Sequence, residues 1–192
     1  MNAYTHHRSN WLIGIALLLV LIVTRSGHFG SRFTLPDASW AMFWLSGALA
    51  LRWWWQAILI SASAAVDYFV IGQGISSYCV TPAYPFLIPA YLSLWLVGCC
   101  VSKFLTLEAN SVLWIAISIL IGVTLAYFIS NASFYFFSGY LPALTAWQYI
   151  VAVIKYWPSY LVTTAVYAGV GLLLNSVVRE LRNLASPRYA GS

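Results

Sequence analysis

Predominantly apolar runs alternate along this chain with breaks that hold all of its charged residues but one. Residues 11–23 form the first run, after the polar head MNAYTHHRSN and before TRSGHFGS. Further runs cover 39–51, 57–71, 85–101, 111–129 and 159–178. A membrane-crossing helix needs about 20 predominantly apolar residues. The pattern therefore predicts six transmembrane helices, over about 11–24, 39–51, 57–71, 85–101, 111–129 and 159–178. The breaks carry turn and interface chemistry. Glycines and Pro36 mark 25–38 as a loop, with Asp37 or Ser39 able to cap the next helix. Arg52 beside Trp53, Trp54 and Trp55 marks a membrane interface. Pro85 suits the first turn of a helix, where its missing N–H costs nothing.

The basic head and the 11–23 run also have the outline of a secretory signal. TRSGHFGS lacks a small-x-small cleavage site, and further spans follow, so the run is read as the first span. Composition agrees with a membrane chain: 62% of residues are hydrophobic, 17% aromatic and 7% charged. A soluble domain carries roughly a quarter charged residues, which this chain cannot approach. The expectation is one all-α integral membrane domain over residues 1–192.

The formal net charge of +5 is spread along the chain and forms no basic stripe of the kind that binds nucleic acid. It orients the spans instead. With the N-terminus inside, Arg8, Arg52, Lys103, Arg179, Arg182 and Arg188 fall on the cytoplasmic side, against Arg25, Arg32 and Lys155 outside. Both termini are then cytoplasmic, and the loops at 25–38, 72–85 and 131–147 share the outer face.

Candidate chemistry gathers in one stretch, DYFVIGQGISSYCVTPAYPFLIPAY, residues 67–91. Asp67 is the one acid inside a predicted span, where a carboxylate is costly unless paired, hydrated or protonated. A functional role competes with a structural hydrogen bond, or with snorkelling to the interface. Cys79 follows in a loop without Lys or Arg, so no neighbour in sequence activates its thiol. Tyr78, Tyr84 and Tyr91 suit a pocket wall with polar tips, and equally an interfacial belt. Trp40 and Trp44 share a helix face by their i, i+4 spacing. Cys79, Cys99 and Cys100 make no CxxC or Cys/His zinc spacing. Neither lysine sits in a GxxxxGK[ST] motif, so no P-loop for a nucleotide is present. All three histidines lie outside the predicted spans, which leaves no buried Ser–His dyad.

Three segments carry a resemblance: LPDASWAMFWLSG (35–47), DYFVIGQG (67–74) and SSYCVTPAYPFLIPAY (76–91). They are similar to the BtuM family, small bacterial membrane proteins like the substrate-binding S-components of energy-coupling-factor transporters. The length and six-span count match that fold across nearly the whole chain, while the last two spans match in hydropathy alone. The resemblance implies a cobalamin transporter of the inner membrane in which a cysteine, here Cys79, ligates the corrin cobalt. It also implies Asp67 and Tyr84 as substrate-binding residues, and Tyr78 is expected beside them from the pocket-wall reading. A soft thiolate is a competent axial donor to cobalt. Such a donor weakens a ligand on the opposite corrin face, so bound cyanocobalamin is expected to lose its cyanide through Cys79.

One departure bears on partners. S-components that dock on a shared energising ATPase module carry small residues at AxxxA spacing in the first span. Here Gly14 is followed four residues on by Leu18, and Ala16 by Val20. That argues for a protein acting without the module. Two other functions fit the residues: a membrane enzyme using Cys79 as nucleophile with Asp67 as acid or base, and a non-catalytic membrane subunit.

Overall fold

The computed structural model describes residues 3–27, 35–72, 81–105, 109–141 and 144–185. Helix α1 is Ala3–Gly27, α2 Ser39–Ala48, α3 Trp54–Gly72, α4 Leu87–Val101, α5 Ala109–Phe137, α6 Ala146–Val153 and α7 Trp157–Ala185. A 3-10 turn leads into α4 at Tyr84–Phe86, and another joins α6 to α7 at Ile154–Tyr156. Among the described residues there is no strand. Trp54–Ile71, Tyr84–Phe104, Ser111–Phe137 and Ala146–Ala185 are long and apolar enough to cross a membrane, and Trp11–Ser26 is a shorter apolar helix. The chain is an all-helical membrane protein.

The helices differ from the predicted runs. Helix α6 stands where no span was expected, and α1, α3 and α7 run beyond their predicted bounds. Three differences shape the site. α2 has 10 residues, about 15 Å at 1.5 Å per residue, half a hydrocarbon core of about 30 Å. It stops because Ala50 turns left-handed, with φ of 53°. The N–H groups of Ala50 and Leu51 then return to the carbonyls of Gly47 and Ser46, closing a Schellman cap at 2.9 Å each. Residues 131–137, expected as the start of an aromatic loop, continue α5 to Phe137. Residues 25–27, expected as loop, are the last turn of α1.

Helices α1 to α5 alternate in direction. At one end, Trp11 of α1 lies against Trp54 and Trp55 of α3, with ring centroids 4.8 and 5.4 Å away. At the other end, Arg25 of α1 reaches Ser39 at the start of α2 and Asp67 near the finish of α3. Phe137 at the finish of α5 stacks on Phe86 at the entrance to α4, 4.8 Å between centroids.

α2 is the centre of the packing, and all ten of its residues are buried. It meets α4 backbone to backbone. A Cβ placed on Gly47 would strike the Trp95 carbonyl, and one placed on Gly98 would strike the Trp44 carbonyl. Small residues permit this approach, which gains dispersion contacts where no water is present to drive apolar association. Gly14 is used inside the fold as well, against the Trp55 indole. Phe43, Trp44, Leu45, Leu59 and Leu94 complete a core with essentially no exposure.

Candidate functional site

The site forms where α1 and α3 finish and α2 and α4 begin. Thr24 receives the Ala38 N–H at 3.2 Å, which ties the entrance of α2 to the last turns of α1. Asp37 then accepts both the backbone N–H and the hydroxyl of Ser39, at 2.9 and 2.6 Å. Helix α2 is thus held at its start from Asp37, one residue outside Ala38, the position where a capping side chain usually sits.

Arg25 is the hub. Its Nε donates to Asp67 Oδ1 and its Nη2 to Asp67 Oδ2, both at 2.6 Å. Its Nη1 donates to Ser39 Oγ and Tyr91 Oη at 3.0 Å, and to Asp37 Oδ2 at 3.3 Å. The Tyr84 hydroxyl donates to Asp67 Oδ2 at 2.7 Å. Arg25 is 7% exposed and Asp67 5%. Desolvating two charges costs several kcal/mol each, and the planar two-pronged geometry with added hydrogen bonds offsets that cost. Tyr91 is fixed from its other face by a parallel stack on Phe43, 4.2 Å between centroids.

This network lines a cavity of about 570 Å³. A second lining group is aromatic: Trp40 lies 4.6 Å from Tyr160, and Tyr160 5.6 Å from Tyr127. A third is polar and neutral, with Ser130 and Asn131 of α5 and Thr163 and Thr164 of α7. The Tyr149 hydroxyl donates to Asn131 Oδ1 at 3.2 Å, which joins α6 to this lining. A smaller apolar cavity of about 210 Å³ between α3 and α4 shares Tyr84, Leu87 and Tyr91 with the large one.

Asp67 and Tyr84, expected as binding residues, are brought together on this lining. Asp67 does not snorkel; it is paired in place. Tyr78 and Cys79 lie outside the described residues, although Thr81, two residues after Cys79, lines the cavity. Tyr91 belongs to the network and Trp40 to the aromatic lining, whereas Trp44 is wholly in the core. Cys99 and Cys100 are unbridged on α4 and do not line the cavity. Among the described residues, no three of His, Cys, Asp and Glu gather as a metal site.

Arg25 and Asp37 are the residues that sequence reasoning missed. Arg25 read as a loop cation because it ends an apolar run. The signal was Asp67 itself: a carboxylate inside a span calls for a cation, and Arg25 stands at the matching end of the first span. No protein-family model matches the chain, and no curated protein matches it. Fold and site define a class by themselves: an all-helical membrane protein with a buried guanidinium–carboxylate centre beside an aromatic-lined cavity.

Proposed function

We propose that the protein is a cobalamin uptake transporter of a bacterial inner membrane, resembling the S-components, with six spans and both termini cytoplasmic. One observation carries this reading. Asp67 and Tyr84, seventeen residues apart and both within the segments that resemble the BtuM family, meet in a 2.7 Å hydrogen bond on the cavity lining. Ligand sites are concave and largely apolar, with a few fixed polar groups, and the cavity has that make-up. Its volume of about 570 Å³ suits a drug-sized molecule. A corrinoid is larger, so only part of it enters and the rest stays in the mouth. The alternation of α1 to α4 between the tryptophan end and the Arg25 end supports the six passes. With Arg25 buried against Asp67, only Arg32 and Lys155 remain as outer cations against the six cytoplasmic ones.

In this reading Cys79 supplies a thiolate to the corrin cobalt and acts as the substrate's axial ligand. The cyanide opposite leaves as the anion with its electron pair, while the thiolate supplies the pair on the other face. The protein works without an ATPase module, and inward release is driven by trapping of the vitamin in the cell. The test is the ultraviolet-visible spectrum of purified protein with cyanocobalamin, beside Cys79→Ser. A band shift in the unaltered protein alone supports both corrinoid binding and the cobalt–sulfur bond. Equal binding by both variants removes the role of Cys79, and retained cyanide removes the decyanation. No corrinoid in either variant rejects the reading.

A further inference from the structure

Each guanidinium nitrogen of Arg25 is already engaged. Nε, Nη1 and Nη2 all donate to acceptors of the protein itself, in Asp67, Asp37, Ser39 and Tyr91. A ligand anion entering the cavity would compete with these buried partners for the guanidinium, and could take at most one Nη2 N–H without displacing one of them. Arg25 is also the single cation among the described lining residues, while two acids, Asp37 and Asp67, line the same space. Among the described lining residues the balance is one positive against two negative charges. Asp67 is closed off, with its side chain 8% exposed and each oxygen engaged by Arg25. Asp37 differs. Its side chain is 25% exposed, and its contact with Arg25 is the longest in the network at 3.3 Å. The uncompensated charge therefore sits on the acid that faces the cavity. The remaining lining, tyrosine and tryptophan faces with Ser130 and Asn131, contributes no formal charge.

We propose that this cavity selects its ligand by charge, with Asp37 as the residue that reads it. The part of the ligand that meets the Arg25 network is a neutral hydrogen-bond donor such as a carboxamide, or a cation. Carboxylates and phosphates are rejected. The proposal rests on the cavity being the ligand site, and it names the chemistry that site accepts. A corrinoid with carboxamide side chains satisfies it, and the same corrinoid with those amides hydrolysed does not.

The experiment needs no ligand. Cys79, Cys99 and Cys100 are replaced by Ser, and Ser130→Cys places one thiol on the cavity lining. Its modification rates by a cationic and an anionic methanethiosulfonate reagent are then compared, each divided by the rate with a free small thiol. One net charge within several ångströms, partly hydrated, gives roughly a tenfold preference for the cation. Adding Asp37→Asn, which keeps the acceptor for Ser39, should bring the ratio close to one. A ratio near one with Asp37 intact, or a preference for the anion, overturns the proposal even if the Asn variant does not fold. A cation preference that survives Asp37→Asn overturns the assignment to Asp37. Cyanocobalamin binding is measured separately, on the protein that keeps Cys79. Charge selection without corrinoid binding would reject the transporter reading and leave this inference standing.

Discussion

Arg25 and Asp67, 42 residues apart in the chain, form a two-pronged ion pair with both nitrogen–oxygen distances 2.6 Å. The pair joins the end of α1 to α3, and through Ser39 and Tyr91 it also holds α2 and α4. One guanidinium therefore sets the relative positions of four helix ends around the cavity.

Breaking that pair from one side strands a buried charge. Arg25→Gln and Asp67→Asn are each expected to destabilise the protein by about 3–5 kcal/mol, read by denaturation in detergent. The double variant should lose clearly less than the sum, because neither charge is then left alone. Arg25→Lys keeps the charge and loses the planar fork, so it should fall between the parent and Arg25→Gln.

Tyr84→Phe removes one hydroxyl and leaves the ring. Its hydrogen bond to a carboxylate is worth about 1.5 kcal/mol at the low end for charged partners, and Tyr84 is only half-buried. Stability should fall by no more than that amount. If the protein is the cobalamin transporter proposed above, cyanocobalamin affinity should fall by about tenfold, measured by equilibrium binding to purified protein. An unchanged affinity would separate Tyr84 from the ligand.

The approach of α2 to α4 predicts a sharp contrast among glycines. Gly47→Ala and Gly98→Ala place a methyl group on a backbone carbonyl of the partner helix. Backbone cannot swing aside as a side chain can, so each should cost about 3 kcal/mol or prevent accumulation of folded protein. Gly169→Ala on α7 meets nothing within 4 Å. It should be neutral, or stabilising by up to about 1 kcal/mol through helix propensity.

Ala50 holds the left-handed position of the cap that ends α2. A side chain there costs about 1–2 kcal/mol, which glycine avoids, while glycine also gains freedom in the unfolded chain. Ala50→Gly should therefore raise stability by about 1 kcal/mol. Thermal unfolding of the purified protein checks it, with Ala50→Val as the destabilised counterpart.

Much of the architecture was legible in the apolar runs. Four of the six predicted spans, at 57–71, 85–101, 111–129 and 159–178, lie within helices long and apolar enough to cross a membrane. Hydrocarbon leaves unpaired backbone no partner, so a long apolar run in this setting must be helical. The run at 39–51 gave no warning that its helix would stop at ten residues. That end depends on Ala50 turning left-handed, and nothing in the identity of an alanine announces it.

The site divides along the same line. The pattern of residues singled out Asp67, since a carboxylate among apolar neighbours is conspicuous whatever the fold. It could not name the partner, because a loop cation and a buried one look alike in sequence. Whether Arg25 faces solvent or Asp67 depends on the last turn of α1 and on how α1 lies beside α3. Likewise Trp40, Tyr127 and Tyr160 read as ordinary membrane aromatics until three helices bring them onto one surface. Local hydrophobicity settled which segments are helices in the membrane. Helix-to-helix packing, led by the contact of Gly47 and Gly98, decided which polar groups meet and where the cavity lies.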